Sequence, residues 1–207
     1  MEIIQQTYYH LQRINEVNIK WKVGDKLTFD TNQENYYYKG LKNAIREIQT
    51  EHGFPNILVN NIENKLLSGI SNQYTQNQLD ELLNAIDSAP HKNKVIQYFQ
   101  ELIYEYVRKR KFSYSPSRHH CIWVVPKRND LVEWEEIVLS HRSRILKLNL
   151  TGKTLRTTGT LICTEKNRHL MNAFENAVKY WKLDFTTEKE IEYLFEGTFI
   201  IDEEIID

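Results

Sequence analysis

The spacing of apolar and polar positions changes twice along this chain. From Ile3 to about Phe29 it is that of extended chain. Tyr8, His10 and Gln12 fall on one face of a strand, Tyr9 and Leu11 on the other. A second extended piece covers Trp21 to Phe29, with a turn near Gly24-Asp25. From about Leu41 to Lys111 the period becomes helical. Leu41, Ala44, Ile45 and Ile48 recur at that spacing, as do Leu79, Leu82, Leu83 and Ile86 after a helix start at Thr75 to Gln78. A longer helix carries Val95, Phe99, Leu102, Ile103, Tyr106 and Val107. The Asn/Gln-rich stretch near Asn60 to Gln78 reads as loop.

After Pro116 strands return among helices. Cys121 to Val125 is a strand stopped by Pro126, and Asp130 is placed to cap a short helix through Trp134 and Ile137. Ile145, Leu146, Leu148 and Leu150 alternate with Lys147 and Asn149. Asn167 to Trp181 reads as a helix with Leu170, Ala173, Phe174, Ala177 and Val178 inward, and Ile191 to Ile201 as a strand. Strands at both ends and helices between them predict an α+β fold. The 207 residues fit one domain with a helical segment around 41–111.

Composition narrows the class. Apolar residues are 41% and charged residues 27%, which excludes a disordered chain. No apolar run approaches the roughly twenty residues of a membrane helix, and no secretory leader pattern opens the sequence. With two cysteines, Cys121 and Cys163, and no Cys-x-x-Cys, the expectation is a reduced, cytoplasmic protein. A single disulfide between them stays open. The net charge of −1 hides an asymmetry. Tyr106 to Arg128 holds seven Lys/Arg and no acid, whereas Leu183 to Asp207 holds nine acids and one Lys. The basic stretch suits phosphates of a dinucleotide or a nucleic acid. Its cluster Arg108 to Lys111 also suits a helix C-terminus, where cations meet the macrodipole. Arg108 and Glu105 have the spacing of an i,i+3 ion pair.

Three short motifs follow in order. Tyr8-Tyr9-His10 lies on the first strand. Tyr114-Ser115-Pro116-Ser117-Arg118 leads into Cys121 to Val125. The helix ending Ala177-Val178-Lys179-Tyr180-Trp181 precedes Ile191-Glu192-Tyr193-Leu194-Phe195-Glu196-Gly197. In this order they resemble the bacterial ADP-ribosyltransferases, in particular a branch with a Pro-Ser-Arg motif related to nucleic-acid-modifying toxins. The resemblance covers roughly the first thirty residues and everything after about Tyr98. It implies split antiparallel sheets and a glycosyltransferase that uses NAD as substrate, with no metal. It also implies a macromolecular acceptor (RNA, DNA or protein, nucleic acid slightly favoured) and a setting in toxin–antitoxin or antiviral defence, with an antitoxin protein as a partner.

The chemistry suits these residue types. Cleaving the nicotinamide–ribose bond builds an oxocarbenium-like charge, which a fixed carboxylate stabilises. The resemblance gives that role to Glu192. Strand alternation puts Leu194 and Glu196 on its face, so that Glu196 either shares the cleft or ends the strand in solvent. By the same resemblance His10, with Gln12 beside it, meets the NAD ribose; in the middle motif Arg118 is suited to fork onto a pyrophosphate or a nearby carboxylate, and Ser117 to cap or to contact the nicotinamide amide. No Tyr matches the middle motif. Trp123, Tyr38 or Tyr9 offers a flat surface instead, and Tyr36-Tyr37-Tyr38-Lys39-Gly40 reads as a loop over the adenine or as core packing.

Other signals are weaker. His119-His120-Cys121 has no partner pair at zinc spacing. Walker, dinucleotide-glycine and Gly-x-Ser-x-Gly patterns are absent. Arg46 to His52 resembles the signature of helical ribonuclease toxins, with Arg46 and His52 six positions apart. A non-catalytic binding module on a degenerate transferase fold is the alternative from outside enzymology.

Overall fold

A computed structural model of the chain describes residues 1–14, 21–30, 32–51, 92–132, 134, 143–162 and 171–205, together with 60, 61, 64, 65, 68, 77, 78 and 81. These residues form an α+β structure with a five-stranded antiparallel sheet and three helices of defined bounds. The chain divides into two compact units. One comprises 1–33, 114–159 and 186–207, the other 34–113 and 160–185. No helix among the described residues is long and apolar enough to cross a membrane.

Among the described residues the first unit holds every strand: β1 (Glu2–Arg13), β2 (Lys26–Phe29), β3 (Ile122–Val124), β4 (Ser143–Thr158) and β5 (Ile191–Ile205). The order is β1-β4-β5-β2, and β3 pairs with the first half of β5. An antiparallel bridge between Tyr9 and Val125 joins the end of β3 back to β1, so the sheet curls until its first strand meets β3. The concave side carries the core. Tyr8, Ile122, Val124, Leu146, Leu148, Leu150, Phe195, Phe199 and Ile201 are all buried there. At roughly 1.5–3 kcal/mol for each large apolar side chain, this cluster is the main stabilising element of the unit. Tyr9 and Leu11 pack on the opposite side, against Val125, Leu131 and Ile145. The two faces expected of β1 are therefore observed.

β4 and β5 run longer than their apolar cores suggested. Their pairing continues through Thr151, Gly152 and Lys153, where polarity had hidden the strand. At its centre Gly152 (φ +158°) faces Gly197 (φ +150°). A Cβ on Gly197 would lie 2.5 Å from the Thr151 carbonyl oxygen, so the strands approach closely only because neither residue has a side chain. The turn near Gly24-Asp25 is present, with Lys22 N–H donating to the Asp25 carboxylate. The helix expected after Asp130 is described only at Val132 and Trp134, both helical. Asp130 itself lies inside a 3₁₀ turn over Arg128–Leu131 that starts at Lys127 without a side-chain cap.

The second unit is helical: α1 (Tyr36–Glu51), α2 (Lys92–Lys111) and α3 (Met171–Lys182). Asn35 caps α1, its Oδ1 accepting from Tyr38 N–H at 2.9 Å. Tyr36 to Gly40 is thus the first turn of a helix rather than a loop, and Tyr38 stacks on Tyr98 at 5.9 Å. On α2, Arg108 forks onto Glu105 at 2.7 and 2.9 Å, the expected i,i+3 pair. Tyr104 on α2 meets Tyr180 of α3 edge to face, and Trp181 Nε1–H donates to the Tyr104 carbonyl. The described positions from 60 to 81 are helical, contrary to the loop expected for Asn60 to Gln78. Asn, Gln and Ser cost a helix only fractions of a kcal/mol each, so polar composition alone does not break one. Leu79, Leu82, Leu83, Ile86, His52, Ile137, Cys163 and the stretch Asn167 to Leu170 lie outside the described residues.

Candidate active site

The start of β5 is fixed by the end of β4. Thr158 Oγ1 donates to the Lys189 carbonyl and Gly159 N–H to the Glu190 carbonyl, both at 2.8 Å. Between them Glu190 adopts φ +50°, a left-handed conformation that a non-glycine residue holds only when its surroundings over-determine it. β5 then starts opposite Thr157–Thr158, with Glu192 paired to Thr157. Tyr193 and Phe195 point to the core, so Glu192 and Leu194 point to the opposite face of the sheet.

Glu192 is only 5% exposed, and each of its oxygens is held. Arg118 Nη1 donates to Oε1 at 2.6 Å, and Trp123 Nε1–H donates to Oε2 at 3.1 Å. The Arg118 guanidinium also lies over the Trp123 ring, 5.6 Å from its centre. Trp123 reaches this face because its neighbours Ile122 and Val124 point into the core. Arg118 arrives from a turn built on Ser117. His119 N–H donates to Ser117 Oγ at 3.2 Å, and His120 N–H to the Ser117 carbonyl at 3.1 Å. Ser117 N–H in turn donates to Glu196 Oε2 at 3.1 Å, which staples the Pro-Ser-Arg turn to β5. Glu196 thus anchors the segment that delivers Arg118.

His10 lies on the concave face of β1. Its Nδ1 sits 2.7 Å from the Trp123 carbonyl oxygen. A carbonyl only accepts, so Nδ1 carries the proton, and in the neutral ring Nε2 is an acceptor. Burial pushes the ring from its ordinary value down to about 4; the bond to Trp123 opposes that shift and Arg144 adds to it. Trp123 therefore joins the first and last motifs, through its carbonyl to His10 and through its indole to Glu192. Gln12 belongs to a different neighbourhood. It is 2% exposed and lies opposite Arg144, whose Nε donates to Gln12 Oε1 at 2.8 Å. Its Nε2 has no hydrogen-bond partner among the described residues.

The remaining candidates are placed elsewhere. Tyr9 packs beside Val125 and Leu131, and Tyr38 packs within the helical unit. His120 Nδ1 donates to the Gln33 carbonyl, and the buried Cys121 Sγ faces the Arg118 carbonyl at 3.7 Å. Arg46 is on α1, while His52, its partner in the ribonuclease signature, lies outside the described residues. Two contributors had no sequence signal: Thr157 opposite Glu192, and Trp134, whose Nε1–H donates to the Ile191 carbonyl beside Glu192.

A family model described as a protein of unknown function, DUF2441, matches residues 8–207, and the chain belongs to that family. The match includes His10, Gln12, Ser117, Arg118, Trp123 and Glu192. No curated protein matches the chain.

Proposed function

We propose that this DUF2441 protein is an NAD-dependent ADP-ribosyltransferase with Glu192 as its catalytic carboxylate. One observation carries the reading. Three segments far apart in the chain, holding His10, Arg118–Trp123 and Glu192, meet in one hydrogen-bonded chain that ends on a buried carboxylate. In the reaction the C–N bond between ribose and nicotinamide breaks and nicotinamide leaves with the electron pair. A nucleophile on the acceptor then bonds to the ribose carbon and loses its proton. Glu192 faces the positive charge that develops on the sugar and orients a ribose hydroxyl. Arg118 and Trp123 hold the carboxylate in one position before substrate arrives, so little reorganisation is left for the reacting step. The Trp123 ring offers a flat wall for the nicotinamide, and the Ser117 turn brings a hydroxyl and the Arg118 charge to the same face.

The test is incubation with labelled NAD and host lysate, fractionated into protein, RNA and DNA. Label is expected in one fraction, with nucleic acid favoured by the basic stretch Tyr106 to Arg128, and Glu192→Gln should lower incorporation roughly a hundredfold or more. No label in any fraction, or a Glu192→Gln variant as active as the wild type, refutes it. A second reading has its own observation: both Glu192 oxygens are already bonded within the chain. That arrangement equally suits a non-catalytic binding module whose ion pair is structural. Such a module gives no thermal shift with millimolar NAD, whereas a transferase is stabilised by a ligand of its folded state.

A further inference from the structure

We infer that His10 is a positioning residue, which acts on Glu192 through the backbone and indole of Trp123 and not by touching substrate. The inference rests on the transferase reading for its catalytic consequence, but its structural content is independent of it. β1 and β3 are joined by a single bridge, with Tyr9 and Val125 exchanging both N–H···O bonds at 2.8 and 2.9 Å. In an antiparallel ladder the carbonyls that face one neighbour recur every second residue. The next carbonyl of β3 on the β1 side is therefore that of Trp123. The ladder has stopped there, and the ring of His10 meets that carbonyl at 2.7 Å.

This bond does what the missing rung would have done. It holds the Trp123 carbonyl on the β1 side, while on its other side β3 stays paired with β5, Trp123 opposite Leu194. That adds a second hold on the residue whose Nε1–H donates to Glu192. The guanidinium stacked on the same indole donates to Glu192 as well. A loosened Trp123 therefore disturbs both holds on the carboxylate. Misplacement by about 1 Å is enough to cost a catalytic group roughly a hundredfold.

The experiment uses the full chain and reads the indole N–H signals of its four tryptophans by ¹⁵N–¹H NMR. Trp123→Phe assigns the signal, and Glu192→Gln shows how far it moves when the carboxylate hold changes. His10→Ala and His10→Met remove the donor, the second while filling the ring's volume. His10→Asn restores an N–H the same number of bonds from Cα as Nδ1. The Trp123 signal should move in Ala and Met and return toward its wild-type position in Asn. With NAD, kcat should fall roughly tenfold or more in Ala and Met with KM within about twofold, and recover in Asn. An unmoved Trp123 signal in whichever of Ala and Met folds overturns the inference. So does a rise in KM with kcat preserved, because that marks a direct contact with NAD. If the NMR pattern holds and the wild type transfers no ADP-ribose, the transferase reading alone fails and the link from His10 to Glu192 stands.

Discussion

Removing the Arg118 side chain as Arg118→Met should destabilise the protein by about 3–5 kcal/mol, the cost of leaving one member of a buried ion pair without the other. The side chains are 4% and 5% exposed and their charged atoms are 2.6 Å apart. At an effective dielectric of about 20, two charges about 3 Å apart attract by roughly 5 kcal/mol. The variant loses that attraction while Glu192 keeps its desolvation cost. It also loses the stacking of the guanidinium on Trp123, worth about 1–2 kcal/mol when desolvated. The remaining hydrogen bond from Trp123 Nε1 offsets part of the loss. The double variant Arg118→Met/Glu192→Gln should recover most of it, because the amide is neutral and still accepts from the indole. Urea unfolding of the wild type, both single variants and the double variant closes a thermodynamic cycle whose coupling should be about 2 kcal/mol or more. If Arg118→Met lies within about 1 kcal/mol of the wild type, the pair behaves as a solvated surface contact and the buried geometry is refuted. The cycle also bears on function. Glu192→Gln alone leaves Arg118 as a buried cation without its counter-charge, so its activity has meaning only beside its measured stability.

Two further outcomes follow from the same unit. With its folded-state value near 4 and an unfolded value near 6.5, His10 binds its proton more readily in the unfolded chain, so its contribution is complete above about pH 6.5 and is lost as pH falls toward 4, by about 3 kcal/mol in total. Unfolding followed across that window should show the loss in the wild type and a flatter profile in His10→Asn; equal slopes would show that His10 does not titrate as described. Gly197→Ala must place a methyl 2.5 Å from the Thr151 carbonyl oxygen at φ +150°, and should cost about 2–3 kcal/mol; a melting temperature within a degree of the wild type would mean that β4 and β5 do not cross as closely as described.

Much of the fold was legible because burial imposes a period. The two faces of β1 are observed, and Leu41, Ala44 and Ile45 of α1, Phe99, Leu102 and Ile103 of α2 and the apolar positions of β4 are buried where the spacing put them. Legibility failed where polar residues occupy regular structure. The Thr151–Thr154 stretch pairs fully although no apolar alternation marks it, and the described positions from Asn60 to Gln78 are helical where a loop was expected. The candidate site was legible as an order of motifs and not as a geometry. A tryptophan between two core residues gives no sign that its carbonyl and its indole serve two different motifs. Nor does a Glu four positions after Glu192 announce that it staples the turn delivering Arg118.

The charge asymmetry carried more of the answer than its net value of −1 suggested. Arg118 comes from the basic stretch and Glu192 from the acidic one, and the pairing of β3 with β5 brings the two together. Each carboxylate oxygen has a second lone pair, so on the proposed reading Glu192 can accept from a ribose hydroxyl while both protein donors stay in place. The Arg118 bond is charge-assisted and short at 2.6 Å, whereas the Trp123 bond has a neutral donor at 3.1 Å and is the weaker of the two. The indole is therefore the hold that a change at His10 loosens first, because the His10 ring bonds the carbonyl of the same tryptophan.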